Sequence, residues 1–545
     1  MNHQDQSGFL FILLFSLAIF AFTFLALGCY YETNDDVILT FLLKGVFNKT
    51  PILNLTLYLH GFGSLITLLY QNLPQAPWYG LVMYSILFLA TVLAFWLIYK
   101  QLHNKLSMVI TGGLLLLFYL ATWYEHIFWF NYSRLPILLA GMAGLWANRI
   151  FRVNAAKKKM YFLFPAFLFL IALCVRPSLA LFGLALVLPN LLISLQLKTT
   201  KVKLLLLVLT GILFFAALTI TTLPEQLQYR RYDVLKSQIL DYSWYCPPAE
   251  TLPATLQQEA IAQWFLADTF TLQYLDEQVP DWQYFWQNVA QAKLIQLGKY
   301  LVLDHFLTLF LVFVFFIWFV VHQSKRQVFF FCWYHLYFWS IILVTGLFLK
   351  IPPRILTPAM SLYLLSHLAW LPENLKITPW RRWPVYVQTL ALGLLLVQVY
   401  KINHRVASQQ QRQKQSEAVW TKIQNNYPGY VVLAAGLENE LRAMSPFKNY
   451  DLHNQRLIAL TSWQTLDPQY QRNWQKLTSA TSLGQAIIQL SQLPNVVWVS
   501  NPEYLIFLKK YFGAFYHITL EYKFIAHISA PNAPEKLGYY QVRFK

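Results

Sequence analysis

The sequence predicts an α-helical polytopic membrane protein with about eleven transmembrane helices and a small α/β domain at its C-terminal end. Of its 545 residues, 57% are hydrophobic and only 12% are charged, whereas soluble domains usually carry about 25% charged residues. Many apolar runs approach the ~20 residues that a spanning helix needs. From about Asn403 the composition turns polar, and strand-like runs follow.

Eleven predominantly apolar runs predict the spanning helices. They cover Phe9–Gly28, Trp78–Tyr99, Leu106–Tyr124, Leu135–Ile150, Met160–Val175, Leu179–Leu197, Leu204–Thr222, Tyr300–Val321, Val328–Leu349, Ile355–Trp370 and Val385–Tyr400. The residues before the first run include no Lys or Arg, so they lack the basic region of a signal peptide. The first run is therefore expected to remain as an uncleaved helix.

The basic residues predict the orientation of these helices. The chain has 42 Lys and Arg against 24 Asp and Glu, a formal charge of +18, and the excess lies in short clusters between apolar runs. One alternating set of loops carries these clusters at 100–105, 149–159, 198–203, 325–326 and 376–382. The positive-inside rule makes this set cytoplasmic, so the C-terminal domain is expected outside. Such clusters indicate topology rather than a nucleic-acid partner.

The segment Leu53–Tyr70 leaves two topologies open. It is apolar but interrupted by polar residues such as Asn54 and His60. If it spanned the membrane, the N-terminus would have to lie outside, and no Lys or Arg near Met1 opposes that. The many polar groups and a preceding amphipathic helix predicted at Val37–Phe47 favour a juxtamembrane helix instead.

The predicted domains follow from these elements. Residues 1–401 form a transmembrane domain, with a first outer loop at 29–77 that carries juxtamembrane helices and a large outer loop at 223–299. Residues 402–545 form a soluble extracytoplasmic α/β domain of ordinary domain size. Its strands are predicted at Tyr430–Ala434, Asn495–Val499, Phe515–Ile528 and Tyr539–Phe544, and its helices at Ser482–Leu490 and Glu503–Tyr511. It has no GxGxxG or P-loop motif, so no nucleotide cofactor is expected.

An acidic motif, Tyr31-Glu32-Thr33-Asn34-Asp35-Asp36, follows directly after the first helix. Adjacent carboxylates repel each other, so the pKa of one tends to rise unless a cation is bound. Asp35 and Asp36 therefore suit a general base, or a Mg²⁺ or Mn²⁺ site built from oxygen ligands. The alternative is a solvated loop in which Asn34 or Asp35 caps a helix that begins near Val37.

Arginines at predicted outer helix ends form a second set of candidates. Arg134, Arg176 and Arg354 each stand beside the start of an apolar run. Arginine binds phosphate through paired donors and keeps its charge, and ionisable groups at membrane depth are often functional. The alternative for each is a side chain that reaches the lipid headgroups. Their shared face and the acidic loop favour an anionic ligand.

Glu125 and His126, at the outer end of the third helix, are the third candidate. They could complete a metal or acid–base site with Asp35 and Asp36. The aromatic residues around them, such as Trp123 and Trp129, are also typical of a membrane-interface belt.

The arrangement resembles the GT-C superfamily of membrane glycosyltransferases, in particular the bacterial protein-mannosyltransferase and aminoarabinose-transferase type. Asn34-Asp35-Asp36 stands where that family keeps its acidic motif, and Leu53–Tyr70 stands where it keeps a juxtamembrane helix. Arg176 and Arg354 are similar to the outer-face arginines that contact carrier phosphate. The resemblance covers roughly residues 1–400. The family motif is often Asp-Glu or Asp-x-Asp, so Asn-Asp-Asp leaves metal dependence open.

The resemblance implies a sugar transferase. The sparse cysteines and the character of the loops favour the bacterial inner (plasma) membrane over the endoplasmic reticulum as its location. Its donor would be a polyprenyl-phosphate sugar, and its acceptor a glycan, a lipid or a protein. Asp35 or Asp36 would serve as base or metal ligand, and the arginines would bind the donor phosphate. Two other functions stay open: a transporter or flippase of a lipid-linked saccharide, and a non-enzymatic envelope assembly protein. A carboxylate in a loop favours the enzyme, because transporter carboxylates more often lie near the bilayer midplane.

Overall fold

The protein forms two compact units in the computed structural model, which describes residues 3–47, 49–103, 105–148, 160–193, 198–245, 255–371, 385–452, 454–528 and 537–545. The helical unit comprises Met1–Cys29, Val82–Thr221 and Ala292–Ser408. The α/β unit comprises Tyr30–Leu81, Thr222–Gln291 and Gln409–Lys545. The predicted boundary at residue 401, between a transmembrane domain and a C-terminal α/β domain, stays a prediction.

Long apolar helices build the helical unit, because only a helix satisfies every backbone polar group within its own segment in lipid. Their bounds are His3–Phe22, Trp78–Leu102, Met108–Phe118, Tyr124–Phe128, Arg134–Asn148, Met160–Val175, Pro177–Ile193, Lys198–Thr221, Ala290–His322, Lys325–Phe348, Pro353–His367 and Val385–Asn425, with π-helical turns at Thr23–Leu27 and Tyr119–Trp123, a 3₁₀ turn at Leu368–Trp370 and a two-residue strand at Trp129–Phe130.

Each of the eleven predicted runs overlaps a helix, so the predicted fold class is confirmed. Within the described residues, seven helices are long and apolar enough to cross a membrane by length and composition, and three shorter apolar helices accompany them. The predicted cytoplasmic clusters at 149–159 and 376–382 lie outside the described residues. The orientation of the chain stays a prediction.

A five-stranded sheet organises the α/β unit. Its strands are Val431–Ala434 (β1), Arg456–Ala459 (β2), Val496–Ser500 (β3), Leu520–His527 (β4) and Gly538–Phe544 (β5), in the order β2-β1-β3-β5-β4. Strand β1 pairs in parallel with β2 and β3, and β5 pairs antiparallel with β3 and β4. The α/β prediction is confirmed, although β2 was not predicted and the predicted strand Phe515–Ile528 begins only at Leu520.

The other elements of this unit come from all three of its chain segments. Its helices and 3₁₀ turns are Asn34–Lys44, Phe62–Asn72, Pro224–Leu240, Leu256–Ala262, Thr269–Glu277, Trp282–Tyr284, Leu437–Asn439, Trp463–Leu466, Pro468–Gln475, Leu483–Ser491 and Pro502–Tyr516, with a π-helical turn at Phe285–Val289 and a two-residue strand at Tyr30–Tyr31. Phe47 forms a parallel bridge with Leu457 of β2, which joins the first loop to the sheet.

The structure supports the juxtamembrane interpretation of Leu53–Tyr70. Only its C-terminal part is helical, within the 11-residue helix Phe62–Asn72. A helix of that length extends about 16 Å, which is too short for a hydrocarbon core of about 30 Å. The helix predicted at Val37–Phe47 begins earlier, at Asn34, and ends at Lys44.

Asp268 ties the loop 223–299 to the C-terminal domain. Its side chain is fully buried. The hydroxyls of Tyr511 and Tyr516 each donate to this carboxylate at 2.6 Å, and the backbone N–H of Gly484 donates to it at 2.9 Å. Three donors converge here on one buried acceptor, so the contact positions the loop against the domain.

Replacing Asp268 by alanine should destabilise the α/β unit by about 3 kcal/mol, because buried donors would lose a charged acceptor. Thermal unfolding of the purified protein measures the effect. Glu521→Ala is the control, since Glu521 pairs with Lys545 and their side chains are 51% and 65% exposed, and exposed pairs contribute about 0–1 kcal/mol. Equal melting of the two variants would contradict this account.

Candidate functional site

The acidic motif forms the first turn of the helix Asn34–Lys44. Thr33 precedes this helix in an extended conformation, so Asp35 and Asp36 lie inside the first turn instead of capping a later one. Carboxylates in a first turn are favoured by the exposed backbone N–H groups and by the helix dipole. The predicted capping role of Asn34 or Asp35 is therefore wrong.

The two aspartates have different surroundings. Asp36 is fully buried, and the hydroxyl of Tyr79 donates to its Oδ1 at 2.8 Å. Asp35 is half-buried; its Oδ1 accepts from Trp463 Nε1 at 3.2 Å and its Oδ2 from the Thr33 hydroxyl at 3.1 Å. Asp35 is thus the more exposed carboxylate of the pair, and Asp36 is enclosed within the turn.

Tyr31 shows the electrostatic effect of this turn. Burial raises the pKa of its phenol well above the ordinary value, and the charge of Asp36 raises it further. Tyr31 therefore stays protonated at neutral pH and is not a base.

A second acidic group, Asp467, lies on the same unit next to the first loop. Thr56 donates to its Oδ2 at 3.5 Å, and the backbone N–H groups of Gln469 and Tyr470 donate to its Oδ1 at 2.9 and 3.3 Å. Burial raises the pKa of Asp467 from 3.8 to about 6 despite these donors.

Arg230 contacts the same loop residue, since its guanidinium donates to the backbone carbonyl of Thr56 at 3.4 Å. Burial and the charge of Arg230 lower the pKa of His60 to about 4, so His60 is neutral at pH 7.

Asp467→Asn should therefore stabilise the protein at pH 7. A raised pKa means that Asp467 contributes stability below about pH 3.8 and loses it as the pH rises through about 6. Asparagine accepts the same N–H donors without a buried charge, and a rise of about two pKa units corresponds to a gain of at most about 3 kcal/mol. Melting curves at pH 4 and pH 7 measure this; a gain of equal size at both values would contradict the assignment.

Glu125 lies in an ion network of the helical unit. It follows the π-helical turn Tyr119–Trp123 and is 3% exposed. Its Oε1 contacts the guanidinium of Arg405 and lies 4.0 Å from Lys401 Nζ. Asp304 Oδ1 completes the network, at 2.6 Å from Arg405 and 3.1 Å from Lys401.

Two hydroxyls also donate to Glu125, from Thr357 at 3.0 Å and Tyr124 at 3.1 Å. Asp304, Lys401 and Arg405 were not among the predicted site residues. The sequence did contain one indication of this network: Asp304 is an acidic residue inside the apolar run Tyr300–Val321, where a charge is costly unless it is paired.

His126 and Arg134, which the sequence analysis assigned to different candidate sites, lie together. Arg134 Nη1 lies 3.3 Å from His126 Nδ1, and both residues are fully buried. His126 Nε2 lies 2.9 Å from the Ser361 hydroxyl, which itself contacts Thr122 at 2.7 Å. Arg134 is therefore an interior cation, and the interpretation that it reaches the lipid headgroups is wrong.

The other two predicted arginines lie at helix starts. Arg176 is half-buried directly before the helix Pro177–Ile193, and its Nη1 donates to the Tyr132 hydroxyl at 2.9 Å. Its guanidinium also lies 5.9 Å from the centre of the Tyr132 ring. Arg354 is half-buried in the first turn of the helix Pro353–His367, the helix that also carries Thr357 and Ser361.

Glu125 and His126 do not fit the metal site that was predicted for them. The Glu125 carboxylate already faces two cations, and His126 faces Arg134, so a Mg²⁺ or Mn²⁺ ion would meet positive charge there. Within the described part of the chain, no three His, Cys, Asp or Glu side chains gather as ligands. Metal binding by Asp35 and Asp36 stays a prediction.

Comparison with known proteins identifies the fold. No family model and no curated protein matches the sequence. The solved structure of ArnT from Cupriavidus metallidurans in the apo state matches with a TM-score of 0.51 and 10% identity, over 97% of both chains. The structure of the same protein bound to undecaprenyl phosphate matches over 97% of both chains, with 10% identity and a TM-score of 0.46. The fold expected from the resemblance is confirmed: the chain has the fold of ArnT.

Proposed function

We propose that the protein is a glycosyltransferase that moves a sugar from a polyprenyl-phosphate donor to an acceptor at the extracytoplasmic face of the membrane. One observation carries the proposal: a chain with the fold of ArnT places an accessible carboxylate, Asp35, directly after its first spanning helix. ArnT itself binds undecaprenyl phosphate, which supports a lipid donor of this class. A fold alone does not determine a function, so the proposed site residues must also have chemistry that suits sugar transfer.

The reaction requires one bond to form as another breaks. An acceptor hydroxyl oxygen attacks the anomeric carbon, the bond from that carbon to the phosphate oxygen breaks, and polyprenyl phosphate leaves with the bonding electrons. The hydroxyl proton must go to a base in or after the transition state. A phosphate is a good leaving group, so the reaction needs no separate acid.

Asp35 is the proposed base. Its carboxylate is half-buried, and donors from Thr33 and Trp463 hold it in place. Asp36 is a positioning residue, since it is enclosed and accepts from Tyr79.

Arginines of the helical unit are the proposed phosphate ligands. Arg176 and Arg354 are half-buried at helix starts that the predicted topology puts at the outer face, and Arg134 is the buried cation beside His126. A fixed cation stabilises the negative charge that gathers on the leaving phosphate.

The donor class is tested by the affinity of the detergent-solubilised protein for a tritium-labelled polyprenyl phosphate. Arg176→Ala should weaken binding about tenfold or more, because charge-assisted hydrogen bonds contribute about 1.5–3 kcal/mol. Arg326→Ala is the control, since Arg326 is exposed at a loop predicted to be cytoplasmic. Wild-type protein that fails to bind the lipid would refute the proposed donor.

A further inference from the structure

Strand β4, Leu520–His527, is an open edge of the five-stranded sheet. It is last in the strand order, so its outer side has no partner strand among the residues that the structure describes. Every residue of β4 after Leu520 is exposed, including the large side chains of Tyr522, Phe524 and Ile525 at 38%, 44% and 44%. A long and partly apolar edge of this kind is a template for pairing with another strand.

The backbone polar groups of β4 alternate between the two sides of the strand. Thr519 and Lys545 exchange two backbone hydrogen bonds, each of 2.9 Å, so the backbone of Thr519 faces β5. The pairing with β5 continues in step from Leu520 to Phe524. Because bonded and non-bonded pairs alternate along an antiparallel ladder, the N–H and C=O groups of Tyr522 point to the open side of the strand.

Charge distinguishes the ways in which two copies of this edge can pair. In the antiparallel register that places Tyr522 opposite its own counterpart, Glu521 lies opposite Lys523 at two places. These are non-hydrogen-bonded positions, where facing side chains come closest. The next register in one direction places Glu521 opposite Glu521, and the next in the other direction places Lys523 opposite Lys523. Like charges directly opposite destabilise a sheet, so the edge is complementary to itself in the first register.

We propose that β4 is a dimerisation edge, through which two copies of the protein pair antiparallel about a twofold axis with Tyr522 opposite its own counterpart. The pair gives the outward backbone groups hydrogen-bond partners. It also extends an aromatic face, because the rings of Tyr522 and Phe524 lie 6.1 and 5.6 Å from that of Tyr540 on β5. The contact is small, so the dimer is weak and transient. The inference does not depend on the proposed function.

Disulfide formation in full-length protein in detergent tests the register. Tyr522→Cys should give a linked dimer under mild oxidation, because facing Cα atoms in such a pair lie about 5.5 Å apart, within the range that a disulfide bridges. Glu521→Cys and Lys523→Cys should link when the two proteins are mixed, although neither should link alone. Linked dimer is measured on a non-reducing gel, and the wild type with its four cysteines sets the background.

Charge exchange tests the ion pairs in protein that also carries Tyr522→Cys. Glu521→Lys or Lys523→Glu alone places like charges opposite each other at two places and should lower the yield of linked dimer about tenfold. The double variant Glu521→Lys/Lys523→Glu should recover the yield. Glu521 also pairs with Lys545 within one chain. Glu521→Lys and the double variant both lose that pair, so the recovery cannot come from it.

Two results would overturn the dimerisation edge. The first is linking at the wild-type level both for Tyr522→Cys and for the mixture of Glu521→Cys with Lys523→Cys. The second is linking of Tyr522→Cys that does not change when the charges are reversed singly, since it would show contact without the proposed register. All of the substituted side chains are exposed, so the melting temperature should match that of the wild type in each variant.

Discussion

Asp35→Asn is expected to lower the rate of sugar transfer at least ~100-fold, because general-base catalysis contributes about 10²–10⁴-fold and an amide cannot take up the proton. The fold should be unaffected. The side-chain carbonyl of asparagine accepts the same hydrogen bonds from Trp463 and Thr33 that the carboxylate accepts now. The rate is measured as label transferred from a radiolabelled polyprenyl-phosphate sugar, and folding as the melting temperature of the same sample.

Glu32→Gln is the matched control for this experiment. Glu32 lies in the same acidic loop and is half-buried like Asp35, so it tests whether any loss of negative charge in the loop slows the reaction. We expect Glu32→Gln to keep most of the activity. Full activity in Asp35→Asn would remove Asp35 from the mechanism, and an equal loss in both variants would indicate a general electrostatic role of the loop.

The largest loss of stability is expected from Glu125→Ala. Glu125 is 3% exposed and faces Arg405 and Lys401, so its removal leaves buried cations without their acid. Breaking a buried ion pair from one side costs about 3–5 kcal/mol. Thermal unfolding in detergent, followed by circular dichroism, should show a clearly lower midpoint than for the wild type.

Two further variants separate charge from packing. Glu125→Gln keeps the volume and the hydrogen bonds from Thr357 and Tyr124 but loses the charge. Its midpoint of thermal unfolding should therefore lie between those of the wild type and Glu125→Ala. Thr357→Val removes one donor and should cost about 1 kcal/mol. If Glu125→Ala melts like the wild type, the network does not stabilise the helical unit.

The sequence predicts the helices of the fold well, because apolar runs of spanning length carry a strong signal. The strands of the C-terminal domain show where that signal weakens. Strand β2 has four residues and begins with Arg456, so it offers no alternation of polar and apolar residues. The predicted strand Phe515–Ile528 starts too early because the helix Pro502–Tyr516 continues through aromatic residues that are also typical of strands.

The candidate site is predicted only in part, for a different physical reason. The acidic motif and the arginines are visible in the sequence because polar residues beside apolar runs are unusual. The pairing of Glu125 with Arg405 and Lys401 joins residues far apart in the chain, and no local pattern specifies it. The burial of Asp36 and the exposure of Asp35 also depend on tertiary contacts, so the sequence alone could not separate their roles.

Cleavage of the donor lipid tests the central claim most directly. Purified wild-type protein and Asp35→Asn would each be incubated in nanodiscs with a panel of polyprenyl-phosphate sugars, and the lipids analysed by mass spectrometry. The account predicts that the wild type converts at least one sugar-bearing lipid to bare polyprenyl phosphate, by transfer or slow hydrolysis, and that Asp35→Asn does not. Tight binding of a donor that stays intact with every acceptor offered would contradict the transferase and favour a transporter of lipid-linked saccharides.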